Sequence, residues 1–466
     1  MLFKSVSRHG DKVALISKDT GTITYKEIEK KIITLKKKIK NKTLIFLISQ
    51  HSIAPILLYI YAIKNNCVII LIDIKTSMPN ISNLLNIYEP SYIAAPNDWI
   101  KKFNIKKYKL TDKILDYSIY KTNYKLFPKM NPELCLLLPT SGSMGSPKFV
   151  RISKKNITSN THSIIKYLKI RTKDRTITNM PFNYSYMLSI INTHIEVGAS
   201  IYVTKESLLQ KEFWNEFRKN KITSFNGVPY IYDIIIKLGL NKIYNENFYS
   251  LTQAGGKMNN RSIKTILKFC KRYKIKFTAM YGQTEASPRM TYLHWKYAQK
   301  KTGSIGKAIP GTKIWIEDND GKKINKIKKT GELIFQGKNV SMGYAENIQD
   351  LKKKDENHGI LKTGDLAYFD KDKFFFIKGR KNRIIKIVGN RFNLDEIEER
   401  MRKKRIQIAC KNINDVLFIF HEKKSPKKKI LEYISKITGQ NIINFKCILL
   451  KKFPRTLNGK INYKKL

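Results

Sequence analysis

The stretch "LCLLLPTSGSMGSPKFV" (residues 134–150) passes from an apolar run, through a loop rich in glycine and hydroxyl side chains, to a lysine and a second apolar pair. Its first five residues predict a buried strand, and the alternation in "KFVRIS" (148–153) predicts another. A helix is expected only from about Lys154, with Ser153 as its N-cap. The stretch therefore predicts a strand–loop–strand unit, whereas a Walker A phosphate loop leads directly into a helix.

The loop between the two predicted strands carries the groups that bind phosphate. Glycine lets backbone N–H groups approach an anion closely, and Thr140, Ser141 and Ser143 add hydroxyl donors. Lys148 adds a positive charge. An ordinary surface turn has a similar composition, so the loop by itself leaves both interpretations open.

Length and composition indicate a globular protein of two or three domains. The chain has 466 residues, of which 42% are hydrophobic and 11% aromatic. No apolar run reaches the roughly 18 to 20 residues of a membrane span, and the longest, Ile53 to Ile63, predicts a buried helix. The first residues lack the pattern of a secretory signal, so a cytoplasmic location is expected.

The five cysteines are widely spaced and form no CxxC pair, which favours buried free thiols over disulfides or a zinc site. The predicted free thiols are Cys67, Cys135, Cys270, Cys410 and Cys447.

A net charge of +54 raises the question of nucleic-acid binding. Thr24 and Glu27 form a potential capping box, and the helix that follows places its lysines opposite an apolar stripe. That stripe consists of Ile28, Ile32, Leu35 and Ile39. The same lysine enrichment pervades the chain, so we interpret the charge as a solvated surface and expect no specific nucleic-acid partner. Weak nonspecific retention and docking of an acidic partner remain open.

Short apolar runs alternate with helical stretches over the first 300 residues. The runs lie at 43–49, 67–74, 91–96, 199–204 and 276–282. Near-continuous hydrophobic strands separated by helices predict an α/β fold whose mostly parallel sheets are flanked by helices.

Two smaller parts follow this large N-terminal domain. From about Gly303, shorter strands and a hairpin around Asn319 to Gly321 predict a small β subdomain over about 303–378. Strand and helix signals after Lys378 predict a small, compact α+β C-terminal domain. We therefore expect an N-terminal domain over 1–378 and a C-terminal domain over 379–466.

The stretch at 140–148 resembles the TSGTTGxPK signature of the adenylate-forming (AMP-binding) superfamily, which includes acyl-CoA synthetases, peptide-synthetase adenylation domains and luciferases. Further motifs similar to those of the family follow in the expected order: "YGQTE" (281–285), "GELIFQGKNVSMGY" (331–344), "TGDL" (363–366), "GRKNRIIKIVGNRFNLDEIE" (379–398) and "PRTLNGKI" (454–461). Six ordered motifs extend the resemblance over nearly the full length.

The resemblance implies an ATP- and Mg²⁺-dependent ligase. In this family a carboxylate attacks the α-phosphorus of ATP to form an acyl-adenylate and pyrophosphate, and a thiol then displaces AMP. The implied substrate is a small carboxylic acid, and the implied acceptor is CoA or the phosphopantetheine arm of a carrier protein. The alternative is a non-catalytic nucleotide-binding protein that retains the fold.

The resemblance also implies roles for individual residues. Thr284 would contact the α-phosphate, Glu285 would bind Mg²⁺, and Lys460 would approach the reacting oxygens as charge develops. The residues expected to hold the β- and γ-phosphates are Thr140, Ser141, Gly142, Ser143, Gly145 and Lys148.

The nucleoside would lie on residues from three further motifs. Asp365 would accept hydrogen bonds from the ribose, with Arg380 nearby. The residues expected along the adenine are Gly255, Gly256, Tyr281 and Gly282. The resemblance implies that the C-terminal domain (379–466) is a mobile lid, and Asn382 matches the position about which the family's small domain rotates, where the family usually has Asp or Lys.

The segment at 179–200 matches the one that lines the acyl pocket in the family. The residues expected there are Asn183, Tyr184, Tyr186 and Met187. Many amino-acid activators have an aspartate where this chain has Asn183, which weakens an amino-acid substrate without excluding it. The same aromatic stripe is compatible with ordinary core, so the identity of the acid remains open.

Two residues of the loop region depart from the family pattern. Met144 replaces a threonine and removes one hydroxyl donor, and Phe149 replaces a common glycine and is expected to alter the packing beneath the loop. Together with Asn382 they are the only support for the non-catalytic alternative.

Overall fold

The computed structural model of the protein describes residues 2–3, 6–101, 108–124, 130–139, 148–387, 390–413, 416–422, 426–438, 440–456 and 459–466. Numbered in chain order, the α-helices of these residues are α1 (Tyr25–Lys38), α2 (Ile53–Lys64), α3 (Met78–Tyr88), α4 (Asn97–Ile100), α5 (Lys154–Leu168), α6 (Ser185–Val197), α7 (Lys211–Lys219), α8 (Pro229–Leu238), α9 (Asn260–Arg272), α10 (Leu394–Lys403) and α11 (Lys427–Thr438).

The strands of the first two thirds of the chain are β1 (Val13–Ser17), β2 (Gly21–Thr24), β3 (Leu44–Ser49), β4 (Val68–Asp73), β5 (Tyr92–Pro96), β6 (Lys109–Ile114), β7 (Tyr117–Lys121), β8 (Leu134–Pro139), β9 (Phe149–Ser153), β10 (Arg175–Ile177), β11 (Ser200–Tyr202), β12 (Ser224–Gly227), β13 (Ser250–Gln253), β14 (Lys276–Gly282), β15 (Arg289–Leu293) and β16 (Lys307–Ala308). The remaining strands are β17 (Lys313–Glu317), β18 (Gly331–Gln336), β19 (Tyr344–Ala345), β20 (Ile360–Phe369), β21 (Phe375–Arg380), β22 (Ile384–Ile387), β23 (Asn390–Asn393), β24 (Ile408–Ile413), β25 (Val416–Glu422) and β26 (Phe445–Leu450).

The chain forms two compact units. The first comprises Met1–Thr302, Ala308–Lys313 and Gln336–Leu361, and the second comprises Gly303–Lys307, Ile314–Phe335 and Lys362–Leu466. The boundary expected between Lys378 and Gly379 falls inside β21. The division at that point stays a prediction.

The largest sheet of the first unit has the strand order β19–β9–β8–β4–β3–β5–β7–β6. Its centre is parallel, because β3 pairs in parallel with β4 and β5, and β4 pairs in parallel with β8. Strands β6, β7 and β9 pair antiparallel towards the two edges. In a second sheet, β12, β13 and β14 are parallel and β15 is antiparallel to β14. The predicted α/β class with helix-flanked, mainly parallel sheets is confirmed.

The central strands separate two hydrophobic cores. In β3, Ile45 and Leu47 point into the core that contains α2, whereas Phe46 and Ile48 point into the core that contains α3. Both faces of the sheet are therefore covered, which is why its strands read as uninterrupted apolar runs. Helix α2 is buried from Ile53 to Ile63, as predicted.

Helix α1 begins where the sequence predicted. The Thr24 hydroxyl accepts a hydrogen bond from the Glu27 backbone N–H, and the Glu27 carboxylate accepts one from the Thr24 N–H, which completes a capping box. The predicted apolar stripe of Ile28, Ile32, Leu35 and Ile39 is buried.

The second unit contains the sheet β17–β18–β20–β21, the hairpin β22–β23 and the sheet β24–β25–β26. Helices α10 and α11 pack together in one core through Leu394, Met401 and Ile434. The predicted α+β character of this part is confirmed. At the predicted hairpin around Asn319 the chain turns back on itself with an antiparallel bridge between Glu317 and Lys323, and the Ile324 N–H donates to the Ile316 carbonyl oxygen at 2.8 Å.

Across the described ranges, no helix combines the length and the apolar character needed to cross a membrane. All five cysteines are free thiols, as predicted; four are buried and Cys447 is half-buried.

Candidate functional site

Strands β8 and β9 flank the glycine-rich loop. They pair antiparallel, with Pro139 opposite Phe149 at the loop end. Helix α5 begins at Lys154, and the Ser153 hydroxyl accepts a hydrogen bond from the Asn156 N–H at 3.1 Å. The two predicted strands and the predicted start of the helix are confirmed. The predicted phosphate-binding residues Thr140, Ser141, Gly142, Ser143 and Gly145 lie outside the described residues.

Lys148, at the end of the loop, and Glu285, the candidate Mg²⁺ ligand, contact the same tyrosine side chain. Strand β19 pairs with β9 so that Tyr344 lies opposite Val150. The Lys148 Nζ lies 4.4 Å from the centre of the Tyr344 ring and 3.2 Å from a carboxylate oxygen of Glu346. The Tyr344 hydroxyl donates to Glu285 Oε1 at 2.9 Å. The glycine-rich loop and the YGQTE motif, which are far apart in sequence, thus both contact the side chain of Tyr344.

The sequence interpretation missed Tyr344 as a site residue. It is the last residue of the motif at 331–344, so the motif contained it without showing its contact. Burial raises the pKa of the Tyr344 hydroxyl, and the neighbouring Glu285 raises it further. The hydroxyl therefore stays protonated and remains a donor to Glu285.

The YGQTE motif follows β14 and turns sharply back into β15. A Cβ at Gly282 would overlap the carbonyl oxygen of Pro288, so the turn requires glycine at this position. Tyr281 and Thr284 are half-exposed. The Thr284 Oγ1 lies 3.2 Å from the Ser185 Oγ at the start of α6, which joins this motif to the predicted acid-binding segment.

The adenine candidates contact the same segment. Gly255 has a φ of +81°, and a Cβ there would overlap the hydroxyl of Tyr184. The carbonyl oxygen of Gly256 accepts a hydrogen bond from the Gln253 side chain at 2.8 Å, which shapes this turn. The close approach of Tyr184 explains why glycine is needed at 255.

The four predicted acid-pocket residues differ in burial. Asn183 and Tyr184 are half-buried, whereas Tyr186 and Met187 are 2% and 1% exposed and belong to the main core. The Tyr186 hydroxyl lies 2.8 Å from Thr252 Oγ1. The pocket role of these residues stays a prediction, and both interpretations of the stripe remain open for Met187.

In the second unit, Asp365 and Arg380 lie opposite each other on β20 and β21. Arg380 Nε is 3.3 Å from Asp365 Oδ1, and Asp365 is 5% exposed. Lys460 keeps an exposed side chain, yet loss of solvation around its ammonium lowers its pKa to about 8. Arg380 lowers this pKa further and Asp365 acts in the opposite direction, so the structure brings these three candidates together.

A cavity of about 340 Å³ adjoins this group and is lined by Thr363, Gly364, Arg380, Lys381 and Asn382. Asn382, the predicted hinge, is exposed in the 3-10 helix Lys381–Arg383. Its hinge role stays a prediction.

A buried polar network anchors the segment that carries Lys460. The Tyr463 hydroxyl donates to Glu398 Oε2 at 2.7 Å, and the Arg383 guanidinium donates to Glu398 Oε1 at 2.5 Å and lies over the Tyr463 ring at 4.1 Å. Burial raises the pKa of Glu398, while Arg383 opposes that shift. The sequence interpretation missed this network, although Arg383 and Glu398 both lie in the motif at 379–398.

Phe149, one of the departures from the family pattern, is buried in the hydrophobic core. Phe149 is 1% exposed, and its ring packs edge-on against Tyr88 with the centroids 5.4 Å apart. The bulky side chain is therefore buried in the core, and its expected effect on the packing beneath the loop stays a prediction. Met144 lies outside the described residues.

Glu285 is a suitable ligand for a magnesium ion that is also bound by the phosphates of a nucleotide. No group of three or more His, Cys, Asp or Glu side chains forms a metal cage in the described part of the chain. Glu285 is half-exposed and bears one hydrogen bond from Tyr344. Mg²⁺ commonly takes one or two carboxylates together with phosphate oxygens and water, which fits this residue.

Comparison with known proteins agrees with the motif order. The family model described as "AMP-binding enzyme" matches residues 2–345. The oxalate–CoA ligase of Saccharomyces cerevisiae is 26% identical over 357 residues, covering 73% of this chain and 64% of the yeast protein. The 2-succinylbenzoate–CoA ligase of Listeria monocytogenes is 24% identical over 343 residues, covering 71% of this chain and 69% of that protein.

Solved structures share the fold. The o-succinylbenzoate CoA synthetase (MenE) of Bacillus subtilis, in complex with its acyl-adenylate intermediate, has a TM-score of 0.78 at 17% identity, covering 99% of this chain and 97% of that chain. Its complex with ATP and magnesium has a TM-score of 0.77 at 18% identity, covering 100% and 98%.

The chain spans less than two thirds of the length of the yeast relative, 64%. The family model nevertheless covers most of the chain. The chain therefore belongs to the AMP-binding enzyme family.

Proposed function

We propose that the protein is an AMP-forming acid–thiol ligase. A carboxylate oxygen of the acid forms a bond to the α-phosphorus of ATP, the bond between the α-phosphorus and its bridging oxygen breaks, and pyrophosphate leaves. A thiolate sulfur then bonds to the acyl carbon, and AMP leaves with the electron pair of the broken C–O bond. The thiol proton passes to solvent.

The observation that carries this proposal is the contact chain Lys148–Tyr344–Glu285. It places a cation from the phosphate loop and a carboxylate from YGQTE on one tyrosine, with Thr284 next to Glu285. Lys148 neutralises charge on the departing pyrophosphate, and Thr284 donates to the α-phosphate. Glu285 would hold Mg²⁺, which supplies further neutralisation of phosphate charge.

Four residues of the second unit have further proposed roles. Asp365 accepts hydrogen bonds from the ribose, with Arg380 beside it. Lys460 donates to the oxygens of the α-phosphate and the acid as negative charge grows in the transition state. Loss of solvation, with a smaller effect of Arg380, lowers the pKa of Lys460 to about 8, so most of the lysine is charged at neutral pH. Asn382 serves as the hinge between the two half-reactions.

The adenine lies along Gly255, Gly256, Tyr281 and Gly282. The loop residues Thr140, Ser141, Gly142, Ser143 and Gly145 complete the binding of the β- and γ-phosphates.

The substrate is a small carboxylic acid, and we propose CoA as the acceptor. Two relatives named above are CoA ligases, which supports CoA over a carrier protein. A carrier-protein arm carries the same thiol and is the alternative outcome of the acceptor test.

The test is ATP–pyrophosphate exchange with a panel of carboxylic acids, followed by hydroxamate trapping of the adenylate. We expect acid-dependent exchange, and thioester formation when CoA is added. Lys460→Ala abolishes exchange while ATP binding persists, whereas the matched control Lys464→Ala retains exchange, because Lys464 is an exposed lysine of the same segment. A non-catalytic nucleotide binder shows no exchange with any acid.

A further inference from the structure

Arg289 is a buried cation that lacks a carboxylate partner within the described part of the chain. The residue is 2% exposed. Its Nη1 donates to the Met280 sulfur at 2.7 Å and its Nη2 to the Ser189 hydroxyl at 3.1 Å, while Nε has no hydrogen-bond partner. Both acceptors are uncharged. Burying a charge is costly unless it is paired and hydrogen-bonded, so this arginine calls for an anion.

The backbone and the side chain of Arg289 are both held in place. Its carbonyl oxygen accepts hydrogen bonds from the side chains of Asn160, at 2.9 Å, and Asn339, at 3.0 Å. Its guanidinium lies over the Tyr186 ring, 4.0 Å from the centroid. A cation–π contact stabilises the charge only in part. A guanidinium that is fixed in advance binds an anion with little loss of conformational freedom.

Arg289 lies one helical turn from the point where the acid is activated. Ser185 and Ser189 both belong to α6, and residues four apart lie on one face of a helix, about 6 Å apart along its axis. Ser185 meets Thr284, the candidate for the α-phosphate contact, and Ser189 meets Arg289. One end of this face therefore contacts Thr284, and the other end contacts the guanidinium of Arg289.

We infer that the acid substrate carries a second carboxylate, which pairs with Arg289. This inference rests on the proposed ligase function. The substrate is a short dicarboxylic acid: one carboxylate reacts beside Thr284, and the other accepts hydrogen bonds from the Nε and a terminal nitrogen of Arg289. Arginine presents its N–H groups in a fork that matches both oxygens of a carboxylate. A monocarboxylic acid would leave the cation without a carboxylate partner.

The experiment compares matched acids in ATP–pyrophosphate exchange: succinate with butyrate, glutarate with pentanoate, and adipate with hexanoate. With the wild-type protein we expect kcat/KM for the best diacid to exceed that of its matched monoacid by about 30-fold or more, the effect of pairing a buried charge. Arg289→Met, which preserves the length of the side chain and removes its charge, lowers this ratio by a similar factor.

Arg175→Met is the matched control. Arg175 is a half-buried arginine of the same unit that donates to the backbone oxygen of Asn220, away from the cluster. Its substitution leaves the diacid-to-monoacid ratio unchanged. If circular dichroism shows that Arg289→Met does not fold, the diacid-to-monoacid ratios of the wild-type protein and of Arg289→Lys test the inference instead. Arg289→Lys keeps the positive charge, so we expect it to retain a reduced preference for the diacid.

Three outcomes overturn the inference. A wild-type protein that activates monoacids as well as their matched diacids refutes it and leaves the ligase function intact. An Arg289→Met protein with an unchanged ratio refutes it as well. A wild-type protein that shows no exchange with any acid refutes the ligase function itself, and the inference falls with it.

Discussion

The pH dependence of the adenylation step tests the role of Lys460. Desolvation and Arg380 lower the pKa of this lysine from its usual 10.5 to about 8. The charged form donates to the transition state in the proposed reaction, so activity is present below that pKa and is lost as the pH rises through it. An unperturbed lysine would leave the rate flat until well above pH 9.

The size of the effect follows from the titration. With a pKa of about 8, about nine tenths of the lysine is charged at pH 7 and about one tenth at pH 9. The kcat/KM of ATP–pyrophosphate exchange, which reports the pKa values of the free enzyme, should therefore fall about tenfold over this interval. Carboxylic acid substrates are fully ionised between pH 7 and pH 9, so the fall in activity reflects the titration of a group on the enzyme.

Two variants identify the titrating group. In Lys460→Arg the guanidinium stays charged between pH 7 and pH 9. The activity that this variant retains should therefore be constant over this range. Lys464→Arg changes an exposed lysine of the same segment and keeps the wild-type profile. A wild-type rate that is flat over this range, or a Lys460→Arg rate with the same decline, would refute the reasoning.

Three further substitutions test other parts of the structure. Tyr344→Phe removes the hydrogen bond to Glu285 and should raise the Mg²⁺ concentration for half-maximal exchange about fivefold; an unchanged magnesium titration contradicts the contact. Gly282→Ala places a methyl group on a backbone oxygen and should cost about 3 kcal/mol of unfolding free energy in denaturant titrations; an unchanged midpoint contradicts the requirement for glycine. Glu398→Gln leaves a buried guanidinium with one fewer charged partner and should destabilise the protein by about 3 kcal/mol, whereas the exposed control Glu396→Gln should cost under about 0.5 kcal/mol; equal losses contradict the network.

Local patterns in the sequence determined most of the secondary structure. The capping box of α1, the buried helix α2 and the two strands that flank the glycine-rich stretch were all predicted correctly. Each of these elements depends on residues close in sequence, where the hydrophobic period and capping chemistry act directly. The order of six motifs identified the family before any contact was known, because each motif preserves local turns and donors.

The contacts between distant segments were decided only by the tertiary structure. Tyr344 joins Lys148 to Glu285 because β19 pairs with β9, and strand pairing across a sheet leaves no periodic signal in either strand. Arg289 is one of 90 lysines and arginines, and the sequence predicts most of these side chains to be exposed to solvent. Arg289 is buried in contact with Met280 of β14 and Ser189 of α6, which are distant in sequence, so its need for an anion follows only from the tertiary structure.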